Sequence, residues 1–408
     1  MVRLGDVAML LSEIPLGEGQ MGEVFDAVSG STDNGYDEEY TMQDLFRDPG
    51  AGVGTNSTPT RRMSAPVVPM ESRPSARRAA SMGLQTKSQS GSYETPLRDL
   101  FRGALENHVS TKAGGRDLLG GASVDAYMDA LSDSDIQIYW PYSDQWDWTS
   151  APVITYDPED GSEANVGYEI VEDEDGSRVV REIIVTEDVA KSRPVWVVNR
   201  NDDSDFTSLE LLRKNDPAWG NGGGNIIINP KVPMASCIRD ATKAVSVSTE
   251  GSALLLKDFT MKRQYDTWFA GASEFFVKIG AVEEFVASTE AELRLYSPQI
   301  TDFMIVVRRR DVGEPRDFNA VLVSSWTPQL ERAAMMVIED DGGSRTTWSC
   351  SATVKVQSKS YGFDIEIPLN SRDDIVWRGQ LTYNYLTANN GKTGHFGDID
   401  MTFEIMKY

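Results

Sequence analysis

Gly17, Gly19, Gly22 and Val24, in the stretch LGEGQMGEVFDAV, fit the G-x-G-x-x-G-x-V pattern that covers ATP phosphates in protein kinases. Such a loop works only alongside a strand lysine for the phosphates, an H-R-D catalytic loop and a D-F-G metal ligand. Here the first lysine is Lys87, His108 is followed by Val-Ser, His395 by Phe-Gly, and no D-F-G occurs. The match is chance, and the chain is not a kinase.

Carboxylates are the next chemistry on offer. NRNDDSDF places Asn201, Asp203 and Asp205 at alternate positions, as at the start of an EF-hand loop. Phe206 stands where that loop needs Gly and Leu212 where it needs Glu, so the EF-hand reading fails. A looser oxygen cage for Ca²⁺ stays open, using Asp203 and Asp205, or Asp373, Asp374, Asp398 and Asp400 in or beside loops near the carboxyl end. The bland alternative, solvated acidic turns, is the heavier one.

YWPYSDQWDW (139–148) sets Trp140, Trp146 and Trp148 among Asp144 and Asp147. Aromatic rings stack on sugar faces while carboxylates accept hydroxyl hydrogen bonds, so this stretch is a candidate ligand platform. Asp144 and Asp147 are also candidates for a glycosidase acid/base pair, the basis of a rival reading as a carboxylate hydrolase of polysaccharide or peptide. Tryptophan equally supplies core area, and packing is the preferred reading. GNGGGN (220–225) lacks the lysine and helix of a phosphate loop and reads as a hinge. There is no G-x-S-x-G, two histidines are few for triad chemistry, and the Cys and His lack zinc spacing. No catalytic residue is assigned.

Behind these residues stand 408 positions, enough for two or three domains. A formal charge of −24 argues against a nucleic-acid surface, which needs cations to displace counterions. It leaves metal ions or basic partners as the natural complement. Cys237 and Cys350 form no disulfide framework; whether they pair is open. No run approaches the ~18 apolar residues of a membrane span. The start MVRLGDVAMLLSEIPLG reads as a poor secretory signal.

Residues 1–95 are rich in Ser, Gly, Thr, Pro and Asn, and predict a mostly disordered tail. Residues 96–215 predict a small α+β domain: two short helices, the second capped by Ser123, then strands IQIYW, VITY, VGYEIV, VVREIIV and PVWVVN. Residues 216–252 form a Gly-rich connector. Residues 253–408 alternate cleanly, as in IDMTFEIM, with ELRLY and LTYNYL among the expected strands. They predict an antiparallel β-sandwich, the C2 arrangement being one option. The fold class is mainly β.

DIQIYWPYSDQWDW, PVITYDPED, GYEIVEDEDG and RPVWVVNRNDD together resemble a family of uncharacterised lipoproteins and secreted proteins of Bacteroidetes-type bacteria. The resemblance covers roughly residues 97–205, and more weakly DFTMKRQYDTWFAGASEFFVKI and the β-rich end. It implies a cell-envelope or extracellular location and no established activity, although this chain lacks the lipobox cysteine near its start. The resulting expectation is a non-enzymatic binding protein with a protein or glycan partner and a Ca²⁺ option. A structural or adhesive subunit assembling through edge strands is a further alternative.

Overall fold

Apolar residues at helical spacing near the start of the chain bury one face and form α1 (Leu4–Glu13), where Leu4, Val7, Leu10 and Leu11 are all buried. The computed structural model describes residues 2–46, 95–111, 118–146, 150–158, 160–201, 206–215 and 251–407. The glycine-rich motif belongs to α2 (Glu18–Asp33), with Gly17 as its N-cap and Met21, Val24 and Val28 turned inward. Gln20 Oε1 accepts the Gly17 N–H at 3.0 Å, closing the first turn. A helix here leaves no phosphate-cradling hairpin. Residues 2–46 therefore correct the expected tail: they are folded. The rest of that expectation, residues 47–94, lies outside the described residues.

The first domain continues with β1 (Glu39–Thr41), α3 (Met42–Leu45), α4 (Leu97–Thr111) and α5 (Val124–Ser132). Ser123 caps α5, its hydroxyl accepting the Ala126 N–H at 3.1 Å. Glu23 pins the start of α4 by accepting the Leu97 N–H at 2.8 Å. Strands β2 (Ile136–Tyr139), β3 (Val153–Tyr156), β4 (Ala164–Glu172), β5 (Arg178–Thr186) and β6 (Val195–Arg200) follow, with α6 (Glu187–Ala190) between the last two.

The sheet order is β1-β2-β6-β3-β4-β5, antiparallel except where β3 runs parallel to β6. Both faces of β6 are buried. Trp196 and Val198 meet the helices, while Val195 and Val197 meet a loop from the second domain. Buried on both sides, β6 reads as a continuous apolar run rather than an alternation.

Residues 206–215, expected in the first domain, dock on the second. Leu209, Leu211 and Leu212 of α7 (Leu209–Asn215) join the sandwich core, and Phe206 meets Phe276 with ring centroids 4.3 Å apart. The second domain comprises β7 (Ser252–Met261), β8 (Ser273–Ala281), β9 (Gln299–Val307), β10 (Arg316–Val323), β11 (Leu330–Glu339) and β12 (Arg345–Val356). After these come β13 (Lys359–Asn370), β14 (Asp374–Thr382), α8 (Tyr383–Ala388), β15 (Thr393–Phe396) and β16 (Ile399–Lys407).

One sheet is β10-β7-β16-β15. The other is β13-β12-β11-β8-β9, with β14 also pairing β11. Every named strand pair in both is antiparallel, and Phe259, Phe275, Phe303 and Phe318 pack at tilted and edge-on angles within their shared core. The double-layered β reading holds. Two strand expectations do not. ELRLY falls in a 3₁₀ turn (Glu290–Leu295), and LTYNYL bends into α8 where the Thr382 hydroxyl accepts the Tyr385 N–H at 3.2 Å. Among the described residues no helix is long and apolar enough to cross a membrane.

Candidate functional site

The aromatic stretch is mostly core. Trp140 is fully buried between Phe25 and Trp196, with centroid distances of 6.0 and 5.9 Å, and shows no face to a sugar. Trp146 is half-buried beside a shallow cleft of about 520 Å³ that Gln145, Ser192 and Arg193 also line. Asp144 is exposed and accepts a hydrogen bond from Arg310, so its carboxylate already has a cation. Trp148, Asp147, Asp203, Asp205 and Cys237 lie outside the described residues. Cys350 sits half-buried in β12, its thiol pushed up to about 11 by burial, which makes it a poor nucleophile.

Two of the expected metal ligands are committed elsewhere. Asp398 accepts from the Tyr265 hydroxyl at 3.0 Å and pairs with Arg263 at 2.8 Å. Asp400 pairs with Lys262 and with His395 Nδ1, both at 2.7 Å. Burial works against its charge, but those two hydrogen bonds outweigh it and hold Asp400 below the ordinary carboxylate range. The protein's own cations fill the places a metal would take. His395 is exposed, and His108 is buried in α4 with Nδ1 3.4 Å from Glu13. Among the described residues the imidazoles meet carboxylates, Glu13 for His108 and Asp400 for His395.

Asp373 and Asp374 do reach a carboxylate cluster, but its centre lies elsewhere. Asp266, Glu274 and Glu339 bring carboxylate oxygens within 4.8 Å of one another. Two oxygens bound to one Ca²⁺ at ~2.4 Å are at most ~4.8 Å apart, so the spacing suits a shared hard cation. Glu339, at the end of β11, is 0% exposed, and Glu274, in β8, is also buried. Asp266 belongs to the β7–β8 loop, where the Ser273 hydroxyl donates to it at 3.2 Å.

The register explains the convergence: Glu339 lies between Phe275 on one neighbour and Asp374 on the other. The Asp340 N–H then donates to the Glu274 carbonyl at 3.0 Å. Around this centre Asp340, Asp341, Asp373 and Asp374 add negative charge. Burial, followed by the repulsion of these neighbours and Asp266, pushes Asp341 up to about 6. Burial likewise raises Asp266 and Asp373. Lys278 faces Asp340 and Asp373 and donates to the Pro368 carbonyl at 2.7 Å, and Arg309 attracts Asp266. Arg345 adds a third cation beside Lys278, and carboxylates still outnumber cations among these described residues, an arrangement suited to holding protons or a metal ion.

Sequence reasoning missed Asp266, Glu274 and Glu339 because they come from three separated segments. The usable signal was an acid at the end of an apolar run, as in EFFVKI and MMVIE.

The cluster borders the junction of the two domains. From the β7–β8 loop, Trp268 and Phe269 pack on Tyr139, Val153, Val185 and Val197 of the first sheet. Trp268 Nε1 donates to the Glu163 carbonyl at 3.0 Å, and Asn199 Nδ2 donates to that of Phe269 at 3.0 Å. Arg309 bridges Glu187 (2.8 Å) and the Asp266 carbonyl (3.0 Å).

Arg310 reaches the buried Glu38 at 3.2 Å, and Glu38 also accepts from the Tyr142 and Ser143 N–H groups, each at 3.2 Å. Burial, then the neighbouring Asp37, drives Glu38 up to about 7 against the pull of Arg310 and Arg308. Asp37 is itself raised by burial and accepts the Ala272 N–H at 2.9 Å. Glu187 moves the other way. Despite burial, hydrogen bonds from Lys191, Arg309 and Tyr142 bring it to about 2.

Comparison with protein-family models, with curated proteins and with solved structures finds no match for this chain.

Proposed function

We propose that this is a non-enzymatic binding protein of the cell envelope or exterior whose β-sandwich holds a Ca²⁺ ion between Asp266, Glu274 and Glu339. The observation that carries the reading is the approach of those three carboxylates within 4.8 Å beside the domain junction. Hard cations take such all-oxygen sites, and extracellular calcium modules work at Kd values of roughly 10⁻⁴–10⁻³ M. The location follows from the resemblance of residues 97–205, and a protein or glycan partner is the class of ligand that a non-catalytic sandwich presents loops to. Calcium here would neutralise like charges and lock the β7–β8 loop, the same loop that carries Trp268 into the first domain. Its role is structural support for a binding surface.

Thermal melting at pH 8 with Ca²⁺ and with chelator tests this. At a hundredfold excess over Kd the folded state gains about 2.7 kcal/mol, read as a rise in Tm. Glu339→Gln removes one buried charge and is expected to abolish the calcium-dependent rise while raising Tm in chelator. A wild-type Tm indifferent to millimolar Ca²⁺ rejects the site.

A further inference from the structure

Among the described residues β5 is the outer strand of the first sheet, with β4 beside it. Its nine residues pair with β4 in unbroken register, with no bulge and no Pro or Gly. An outer strand of this kind carries unpaired backbone N–H and C=O groups and accepts another strand unless something blunts it. Every other outer strand in the described residues is blunted. β1 has three residues and β15 four. Register shifts interrupt the pairing of β10, and β13 contains Gly362 and Pro368. β14 contains Gly379, and its register with β11 shifts. The outer edge of β9 carries Asp302 and receives the bridge from Ser208. On β5, by contrast, Val180 is 39% exposed and Ile184 64% exposed.

We propose that β5 is a self-association edge, joining two copies of this chain antiparallel into one continuous twelve-stranded sheet, twice the six strands of a single copy. The charge pattern selects the occupant. A two-fold axis normal to the sheet must set one residue opposite its own copy. Centred on Arg181 or Glu182, the pairing places like charges face to face, which opposes it. Centred on Ile183 or Ile184, it sets Glu182 opposite Ile184 or Thr186.

Centred on Val180, it sets Arg178 of each copy opposite Glu182 of the other, with Val180 against Val180 between them. Alternation along the strand puts all three on one face. The outer edge is therefore self-complementary: an apolar centre flanked by two opposite-charge pairs. Within β5 itself Arg178 and Arg181 outnumber Glu182, while Asp173, Glu174, Asp175, Glu187 and Asp188 flank it in the adjoining turns. At ~0.15 M salt the Debye length is ~8 Å, so the remaining repulsion between copies is largely screened.

Sedimentation analysis of the full chain at that ionic strength, over a concentration series, tests the proposal. The wild type is expected to show a monomer–dimer equilibrium. Glu182→Arg, an exposed change that leaves the core untouched, is expected to weaken dimerisation about tenfold or more. The double charge swap Arg178→Glu/Glu182→Arg restores the opposite-charge pairs and is expected to recover the dimer. A wild type that stays monomeric, a Glu182→Arg variant that dimerises as before, or a double swap that stays monomeric overturns the proposal. Arg178 also donates to the Ser12 carbonyl of α1 at 3.0 Å, so the Tm control is read on Glu182→Arg, where an unchanged Tm separates loss of association from loss of fold. The calcium reading stands or falls independently, because its residues lie in the other domain.

Discussion

Arg310→Met is expected to cost about 1–2 kcal/mol more stability at pH 8 than at pH 5, Glu38 taking up a proton once its cation is gone. Arg310 is the cation that reaches the buried Glu38 carboxylate across the domain junction. Removing one partner of a buried ion pair leaves the other charge without compensation, and that desolvation supplies the cost. Protonating Glu38 relieves it. The pH dependence of the wild type has the same origin. Burial and then Asp37 raise Glu38 to about 7 in the folded protein, against an ordinary value of 4.5.

Between those values the folded state binds more protons than the unfolded state, so stability falls as pH rises. The contribution is complete below about 4.5 and lost once the pH passes 7, on the order of 3 kcal/mol in all. Asp37, raised by burial, adds in the same direction. Denaturant titrations of both proteins at pH 5 and pH 8 check this. An Arg310→Met penalty of equal size at both pH values would mean that Glu38 is not the group responsible.

Trp268→Ala is the second large change, expected to destabilise by about 3–5 kcal/mol. Trp268 is 1% exposed, stacks against Phe269 with centroids 3.9 Å apart, and fills the face of the first sheet that the helices leave open. Truncation leaves a cavity between two domains rather than within one. Calorimetry is therefore expected to resolve a broadened or split transition where the wild type shows tighter coupling. The control is Trp196→Ala, which opens a cavity on the helix side of the same sheet and lowers Tm without uncoupling the domains. A single sharp transition in the Trp268 variant, shifted to lower temperature as in the Trp196 variant, would remove the clasp role of that loop.

The two-residue period was legible wherever a strand has one dry face. In β16, Ile399, Met401 and Phe403 are buried as the pattern of IDMTFEIM requires, but around the register shift after Thr402 the alternation lapses, with Thr402 buried and Ile405 only half-buried. The pattern failed where a local bond outweighed it, as where the Thr382 hydroxyl caps α8 within LTYNYL. α1 and α2 were hidden for a different reason. Their polar neighbours and glycines lowered the average hydrophobicity, yet Leu4, Val7, Leu10, Leu11, Met21, Val24 and Val28 suffice to cover the sheet. Each glycine within α2 costs about 1 kcal/mol against alanine, so the helix depends on tertiary burial rather than intrinsic preference.

The candidate site was the least legible part. Loop acids such as Asp398 and Asp400 looked available, but Lys262, Arg263 and His395 come from elsewhere in the chain to neutralise them. Glu339 looked like the polar end of an ordinary strand, and only strand pairing brings it to Asp266 and Glu274. Sequence order carries no record of such long-range meetings.

Insertion of the β7–β8 loop into the first sheet also dictates a timetable for synthesis. By the time β6 has left the ribosome, the helix side of that sheet can close, since its partners all precede Arg200. The opposite side, with Tyr139, Val153 and Val197 bare, must wait some seventy residues for Trp268 to emerge. During that interval the nascent chain displays a sticky half-finished surface, the kind that chaperones cover. Slowing translation between those points would lengthen its exposure, and shortening the intervening chain would reduce it.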